Sequence, residues 1–421
     1  MNITINRPPS GGTVKAIASK SQAHRLLICA ALSDKKTRVD CTETSVDIEA
    51  TAGCLRALGA RISRDDEGYV VEPIRASSLG DTKTLDCCES GSTLRFMLPV
   101  CCALGVTAEF HMSGRLPQRP MSPLLEQLSA HGCTFSGEGS SSLNVIGKLT
   151  GGEFNLPGNI SSQFISGLLL APVDGDSVIN VAGKPESKPY VDMTLDALKL
   201  FGVKIESFDG GYRVFGCAES YKSPGLTVVE GDWSNAAFWL CAGAIGKNAV
   251  TCTGLNLKSS QGDMAVVEML KRFGATVTYG ADSVTAAPSK LRGIRIDAGD
   301  TPDLVPVLAV VASAAQGETV IYNAERLRIK ESDRLSTVEQ TLRTLGADIT
   351  QTRDGLIIKG ADILRGGAVS SFGDHRIAMT AAIASIVCKG KVTINGAEAV
   401  DKSYPGFWSD FTALGADVTK G

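Results

Sequence analysis

Aromatic residues make up only 5% of this 421-residue chain, histidines number four, and neither sign of charge dominates. Forty-two Lys and Arg stand against 45 Asp and Glu, a formal net charge of −3. That balance excludes a global pull toward nucleic acid or an anionic membrane surface. No apolar run approaches the roughly 20 residues a bilayer-spanning helix needs; the longest are Phe164 to Val173 and Val305 to Ala315. The twelve cysteines contain no Cys-x-x-Cys pair, so neither a zinc site nor a thioredoxin-like motif has support. Several (Cys29, Cys101, Cys102, Cys241, Cys388) lie inside apolar runs, and the expectation is buried, reduced thiols in a cytoplasmic protein. The opening MNITINRPPS alternates like a strand and does not read as a targeting peptide. What is present is glycine, 45 residues of it, in a chain 43% apolar and 21% charged. Small residues must dominate the close packing of an ordinary globular protein of two or three domains.

The glycines carry a period. A glycine closes an amphipathic helix at Gly59, Gly132, Gly202, Gly274, Gly346 and Gly415, at spacings of 73, 70, 72, 72 and 69. A second set, Ser21, Ser92, Ser162, Ser234, Asp303 and Asp374, keeps the same register with gaps of 71, 70, 72, 69 and 71. Self-similarity at a fixed period means one supersecondary unit repeated, here six times. Six units divide into two lobes of three.

In the fifth unit, DTPDLVPVLAVVASAAQG reads as an apolar helix with acids and proline at its start and glycine at its end. ETVIYNA reads as a strand. KESDRLSTVEQTLRTLGA is amphipathic, with Leu335, Val338, Leu342 and Leu345 on one face, and ADITQT and GLIIKG form two more strands around the turn Arg353-Asp354-Gly355. The first helix of every unit is apolar nearly all round and should be interior. Three such helices packed in parallel point their N-termini, with partial positive charge, the same way. Two facing lobes would aim six of them into one cleft, an anion site by construction. Pro224-Gly225 in ESYKSPGLTVVEGD marks a loop between the lobes, and a second crossing is expected between Gly11 and Ser19.

Chemistry-bearing residues cluster at these helix starts. Lys20, Ser21 and Arg25 can hold a phosphate or carboxylate. Gly91 lets a ligand approach the backbone, and a proline-constrained loop carries Arg115 and Arg119. Ser161, Ser162 and Gln163 suit phosphate and hydroxyl recognition, and Ser187, Lys188 and Tyr190 follow. Each serine would otherwise be a helix cap. Asp303 is either a cap or a general base. Arg326, Arg328, Lys330, Glu331, Asp333 and Arg334 crowd one segment; Asp374-His375-Arg376 opens the sixth interior helix; Lys402 precedes SYPGF. Seven cations (Lys20, Arg25, Arg119, Lys330, Arg334, Arg376, Lys402) would repel one another in an empty cleft, which points to ligands bearing several negative charges. Asp303 and Glu331, the carboxylates of this set, read as proton handlers.

These motifs, SKSQAHR (19–25), ESGSTLR (89–95), LPQRP (116–120), SSQF (161–164), SKPY (187–190), TPD (301–303), IKESDRL (329–335), GDHRIAM (373–379) and DKSYPGF (401–407), occur in order. Over its whole length the chain resembles the 5-enolpyruvylshikimate-3-phosphate synthases of the enolpyruvyl transferase family. It departs from many relatives at Glu89, Ser92 and Phe96, and from some at Arg326. The resemblance implies an α/β fold of two lobes, each of three βαβαββ repeats around buried parallel helices (an inside-out α/β barrel), with the active site in the interlobe cleft. The lobes would be 19–228, mainly binding shikimate 3-phosphate, and 1–18 with 229–421, carrying phosphoenolpyruvate-binding and acid/base residues. It implies transfer of the enolpyruvyl group of phosphoenolpyruvate to the 5-hydroxyl of shikimate 3-phosphate, without metal or organic cofactor. By the same resemblance, Ser21, Arg25, Ser161, Ser162, Ser187 and Lys330 hold shikimate 3-phosphate. Lys20 and Gln163 touch both substrates, and Gly91, Arg119, Arg334, Arg376 and Lys402 hold phosphoenolpyruvate. Asp303 accepts the hydroxyl proton, and Glu331 with Lys20 serves proton transfer at carbon. The expected partners are these two small molecules, with no nucleic acid or membrane, and the expected state is a monomer.

Three other readings compete, one of them a plain anion-binding module without catalysis, in which Asp303 and Glu331 would be gratuitous. A transferase acting on UDP-N-acetylglucosamine would carry Asn after the first Lys and a Cys in the loop; here Ser21 follows Lys20, and GRLPQRPMSP has no Cys. A DNA-encircling clamp would spread cations along its inner helices, whereas here they sit at the helix starts.

Overall fold

Every one of the six periodic glycines takes a left-handed backbone conformation, with φ between 77° and 105°. A residue with a Cβ is disfavoured there by about 1–2 kcal/mol, so the period in the sequence is a period in backbone geometry. The computed structural model describes residues 1–80, 82–216, 221–361 and 363–421; Glu219 and Ser220 of the expected inter-lobe segment lie outside them. Among the described residues the strands form six four-stranded sheets. Each has one parallel and two antiparallel pairings. In the fifth unit Arg295–Asp297 runs parallel to Glu318–Tyr322, which pairs antiparallel with Leu356–Lys359 and that with Asp348–Gln351.

The chain separates into two compact units, Ala18–Val229 and Met1–Ile17 with Glu230–Gly421. Each contains three sheets and its own apolar core. Strands remote in sequence complete three of the six sheets. Leu226–Val228 joins Thr37–Asp40 in the first unit. Asn2–Arg7 inserts between Val392–Asn395 and Asp417–Lys420 in the other, where Gly12–Lys15 edges Val250–Thr253.

The inner helices of the first unit are Lys20–Ala31, Gly91–Leu104 and Ser162–Leu170; those of the other are Trp233–Ile245, Val305–Ala314 and His375–Ala384. Within each unit every inner helix touches the other two. They are buried nearly all round, as their uniform apolarity predicts: Val305 and Val307 to Ala312 have no exposed surface. The outer helices are buried on one face only. Arg334–Thr344 packs Leu335, Val338 and Leu342 inward against the Val305–Ala314 and His375–Ala384 helices. This helix begins four residues later than the amphipathic pattern suggests, because Asp333 caps it by accepting the Ser336 N–H. Lys330 and Glu331 therefore sit on the preceding loop. Asp303 likewise lies in a short 3₁₀ turn, Pro302–Leu304, before the α-helix starts.

All the described cysteines are unbridged, and all but Cys88 and Cys388 are buried. Among the described residues no helix is long and apolar enough to cross a membrane.

Inner-helix contact relies on small residues. A Cβ at Gly167, on the Ser162–Leu170 helix, would collide with the carbonyl oxygen of Arg95 on the neighbouring Gly91–Leu104 helix. Gly167→Ala should cost about 1–3 kcal/mol by overpacking, read as a lower urea midpoint at unchanged slope. An unchanged midpoint would mean the two helices are not packed this closely.

Candidate active site

Because the inner helices are apolar along their length, polar groups gather at their N-terminal turns. In the Ala18–Val229 unit those turns meet through side chains. Gln163 Nε2 donates to Ser92 Oγ (3.0 Å), and Arg95 Nη1 donates to Gln163 Oε1 (3.2 Å). Arg95 Nη2 also donates to the Pro120 carbonyl at 3.0 Å, anchoring the LPQRP loop to the same place. Arg119 ends that loop with its guanidinium against Gly91: a Cβ on Gly91 would lie 2.6 Å from Arg119 Nη1 and 2.7 Å from Arg95 Nη1. The Gly91 backbone is helical, so a Cβ at this position would press on the two guanidinium tips and not on any main chain.

Lys20 opens the first inner helix and donates to Asp47 Oδ2 at 2.7 Å. Arg25, one turn on, is 2% exposed. Its Nε donates to Thr194 Oγ1 and its Nη2 to the Tyr190 carbonyl, both at 2.7 Å, and its Nη1 to the Ser21 carbonyl. Burial pulls the Arg25 pKa down to about 10, which leaves it charged at neutral pH. The charge therefore lies directly beneath Ser21. His24 is fully buried beside it and bonded to Thr51 (2.7 Å); burial, then Lys20 and Arg25, hold its pKa well below the usual histidine value, so it stays neutral. Ser161 does cap its helix, accepting the Gln163 N–H at 3.3 Å. Ser162 is buried in the first turn. Ser187 is buried with φ 54°, an uncommon conformation for serine, and does not cap the following helix. Lys188 instead forms an exposed pair with Asp192. Lys20, Arg25, Arg95 and Arg119 against Asp47 leave this end cationic.

The other unit gathers a different set. Asp303 is gripped through both carboxylate oxygens: Oδ1 accepts from Arg334 Nη1 at 2.8 Å, and Oδ2 from Arg376 Nη2 at 3.0 Å. Lys330 Nζ lies 3.9 Å from Oδ1. Arg376 Nη2 also donates to Ser234 Oγ at 2.7 Å, so the starts of all three inner helices of this unit are joined. Arg334 is held from behind by Asp374, which accepts from Nε at 2.8 Å and from Nη2 at 3.2 Å, and by Glu331 Oε2 at 2.7 Å from Nη2. Lys402 Nζ donates to the Gly373 carbonyl (2.8 Å), beside the same turn. Burial acts to raise the pKa of Asp303, but Arg376, Lys330 and Arg334 together outweigh it and hold the group well below the carboxylate range.

One expectation needs correcting. Asp303 and Glu331 are not the only carboxylates among the cations. Asp374 pairs with Arg334 and Asp47 with Lys20, so part of the cationic charge is already offset without a ligand. Arg326 and Arg328 turn out to brace loops: Arg326 Nη2 donates to the Gly299 carbonyl at 2.6 Å, and Arg328 pairs with Asp333 at 3.0 Å and donates to the Thr352 and Arg353 carbonyls. Arg115 is exposed on its loop.

Residues 7–411 match the family described as EPSP synthase (3-phosphoshikimate 1-carboxyvinyltransferase). The chain belongs to this family. It is 44% identical to the 3-phosphoshikimate 1-carboxyvinyltransferase of Clostridium acetobutylicum, over 99% of this chain and 98% of that one. It is 41% identical to the Clostridium kluyveri protein of the same name, over 99% and 98%. Its fold superposes on the EPSP synthase of Acinetobacter baumannii with a TM-score of 0.82, at 25% identity and full coverage of both chains.

Within this EPSP synthase framework, the sequence does not single out Asp47 or Arg95, and it places Asp374 at a helix start without showing its partner. Asp374 was within reach, since it keeps the register of the helix-start positions. Asp47 was not, because nothing in the spacing ties it to Lys20, 27 residues away.

Arg334 and Asp374 have 2% and 0% exposed side chains. Arg334→Leu strands the Asp374 carboxylate, and should lower stability by about 3–5 kcal/mol in urea unfolding. A loss below ~1 kcal/mol would mean that water or another cation takes Arg334's place.

Proposed function

We propose that the chain transfers the carboxyvinyl group of phosphoenolpyruvate to the 5-hydroxyl of shikimate 3-phosphate and releases phosphate, and that the polar helix ends of both units serve this one reaction. One observation carries the reading: Asp303, able to take a hydroxyl proton, is bonded to two arginines whose forked donors match a substrate carboxylate.

In this reading Ser21, Arg25, Ser161, Ser162, Ser187 and Lys330 hold shikimate 3-phosphate. Lys20 and Gln163 touch both substrates. Gly91, Arg119 and Lys402 hold phosphoenolpyruvate, with Arg334 and Arg376 on its carboxylate. The cation excess around Lys20, Arg25, Arg95 and Arg119 supports phosphate binding there. Addition joins the 5-oxygen to C2 of phosphoenolpyruvate. Asp303 takes the hydroxyl proton, while Glu331 with Lys20 delivers a proton to the methylene carbon C3. The intermediate then bears ether, phosphate and carboxylate on C2. Elimination removes a proton from the C3 methyl, restores the double bond and expels phosphate, whose charge the cations stabilise. The scheme calls for no metal or organic cofactor. Unbridged, buried cysteines support a reducing, cytoplasmic setting, and a monomer suffices for the chemistry.

Phosphate release should require phosphoenolpyruvate and shikimate 3-phosphate together. Release with UDP-N-acetylglucosamine as acceptor, and none with shikimate 3-phosphate, would overturn the assignment. Gly91→Ala pushes on the movable tips of Arg119 and Arg95 and should leave folding intact. It should raise KM for phosphoenolpyruvate roughly tenfold or more while kcat falls less. An unchanged KM would remove Arg119 and Gly91 from that subsite.

A further inference from the structure

Of the groups bonded around Asp303, the arginines are held by further bonds of their own. Arg334 is fixed: its side chain is 2% exposed, and its Nε and Nη2 are spent on Asp374 and Glu331. Nη1 is the nitrogen that faces Asp303. Arg376 is held by bonds that do not involve the Asp303 carboxylate: its Nη2 donates to Ser234 Oγ (2.7 Å) and its Nη1 to the Asp303 main-chain carbonyl (3.2 Å). Asp303 is the more accessible partner. It sits in a three-residue 3₁₀ turn, its side chain is 19% exposed, and both its oxygens are taken by guanidinium donors. Two guanidinium donors stabilise the carboxylate anion and so lower its appetite for a hydroxyl proton, and the contact that organises the arginines also weakens the base.

We propose that Asp303 is an internal stand-in for the substrate carboxylate: phosphoenolpyruvate displaces it from Arg334 and Arg376, and the displacement releases Asp303 to act as the base. The inference rests on the function proposed above and adds a coupling to it, in which binding one substrate activates the group that deprotonates the other. Before binding, Asp303 keeps the two arginines paired, so neither is an uncompensated charge. On binding, one carboxylate replaces another on a rigid pair of donors, and the number of charge-assisted bonds is conserved. The affinity for phosphoenolpyruvate is then reduced by the fraction of molecules in which Asp303 occupies the arginines.

This exchange separates from a plain base role by direct binding. Asp303→Asn keeps the shape of the side chain but removes the competing charge. By calorimetry it should bind phosphoenolpyruvate roughly tenfold more tightly than the wild type, while its affinity for inorganic phosphate changes by less than about twofold, and its turnover should be lost. Unchanged or weaker binding of phosphoenolpyruvate would overturn the exchange, and so would equal tightening toward phosphate, which would reflect net charge alone. A crystal structure of the wild-type protein with phosphoenolpyruvate gives a reading that needs no variant. Asp303 should have left hydrogen-bond distance of Arg334 and Arg376, with the ligand carboxylate in its place; Asp303 still bonded to both would overturn the proposal. Neither measurement depends on the acceptor. Failure of the wild type to release phosphate with shikimate 3-phosphate would instead count against the function proposed above.

Discussion

A guanidinium cannot shed its proton, so Arg334 can stay buried only if carboxylates surround it. Three do: Asp303, Glu331 and Asp374. They come from the start of one inner helix, the loop before an outer helix and the cap of a second inner helix. Satisfying that single charge therefore fixes where these three segments meet. It also makes Asp374 serve twice, since the oxygens that hold Arg334 include the one that accepts the Arg376 N–H and caps the sixth inner helix. The pairing sets the distance between Asp303 and the arginines, and with it the chemistry available there.

The repeat explains why polar groups gather where they do. An inner helix buried on all sides has no face on which to place a serine or a lysine at low cost. Its first turn is the exception, because the unpaired N–H groups there already demand polar partners. Repeating the unit three times brings three such turns together. The same architecture then supports different chemistry according to which residues occupy the slots. Ser21, Ser92 and Ser162, with nearby Lys20, Arg25, Arg95 and Arg119, leave one unit with a cationic, hydroxyl-rich end. Ser234, Asp303 and Asp374 leave the other with carboxylates interleaved among arginines. The first composition is chemically suited to gripping an anion and the second to holding and moving protons.

Neighbouring charged residues divide between the cluster around Asp303 and the bracing of loops in a way that charge density alone does not reveal. Arg326, Arg328, Lys330 and Arg334 lie within nine residues of one another, yet Arg326 and Arg328 are spent on loop carbonyls while Lys330 and Arg334 face Asp303. The Lys188–Asp192 pair is likewise an exposed contact of small energetic weight. Arg95 shows the reverse case. Embedded in an apolar helix, it looks like part of the core, but it orients Gln163 and tethers the loop that carries Arg119.

The sequence alone determined the repeat, the identity of the buried helices and the positions of their starts. Each of these follows from local rules: glycine at a left-handed turn, apolarity without a polar face, and a capping residue where N–H groups lack partners. Those rules act over a few residues, so they can be read along the chain. The partners of the charged groups were decided only by tertiary structure. Asp47 with Lys20, Arg95 with Gln163 and Asp374 with Arg334 are separated by 27, 68 and 40 residues. Which carboxylate neutralises which cation depends on how three helix starts pack side by side. Coulomb attraction acts on distance in space, and separation along the chain does not report it.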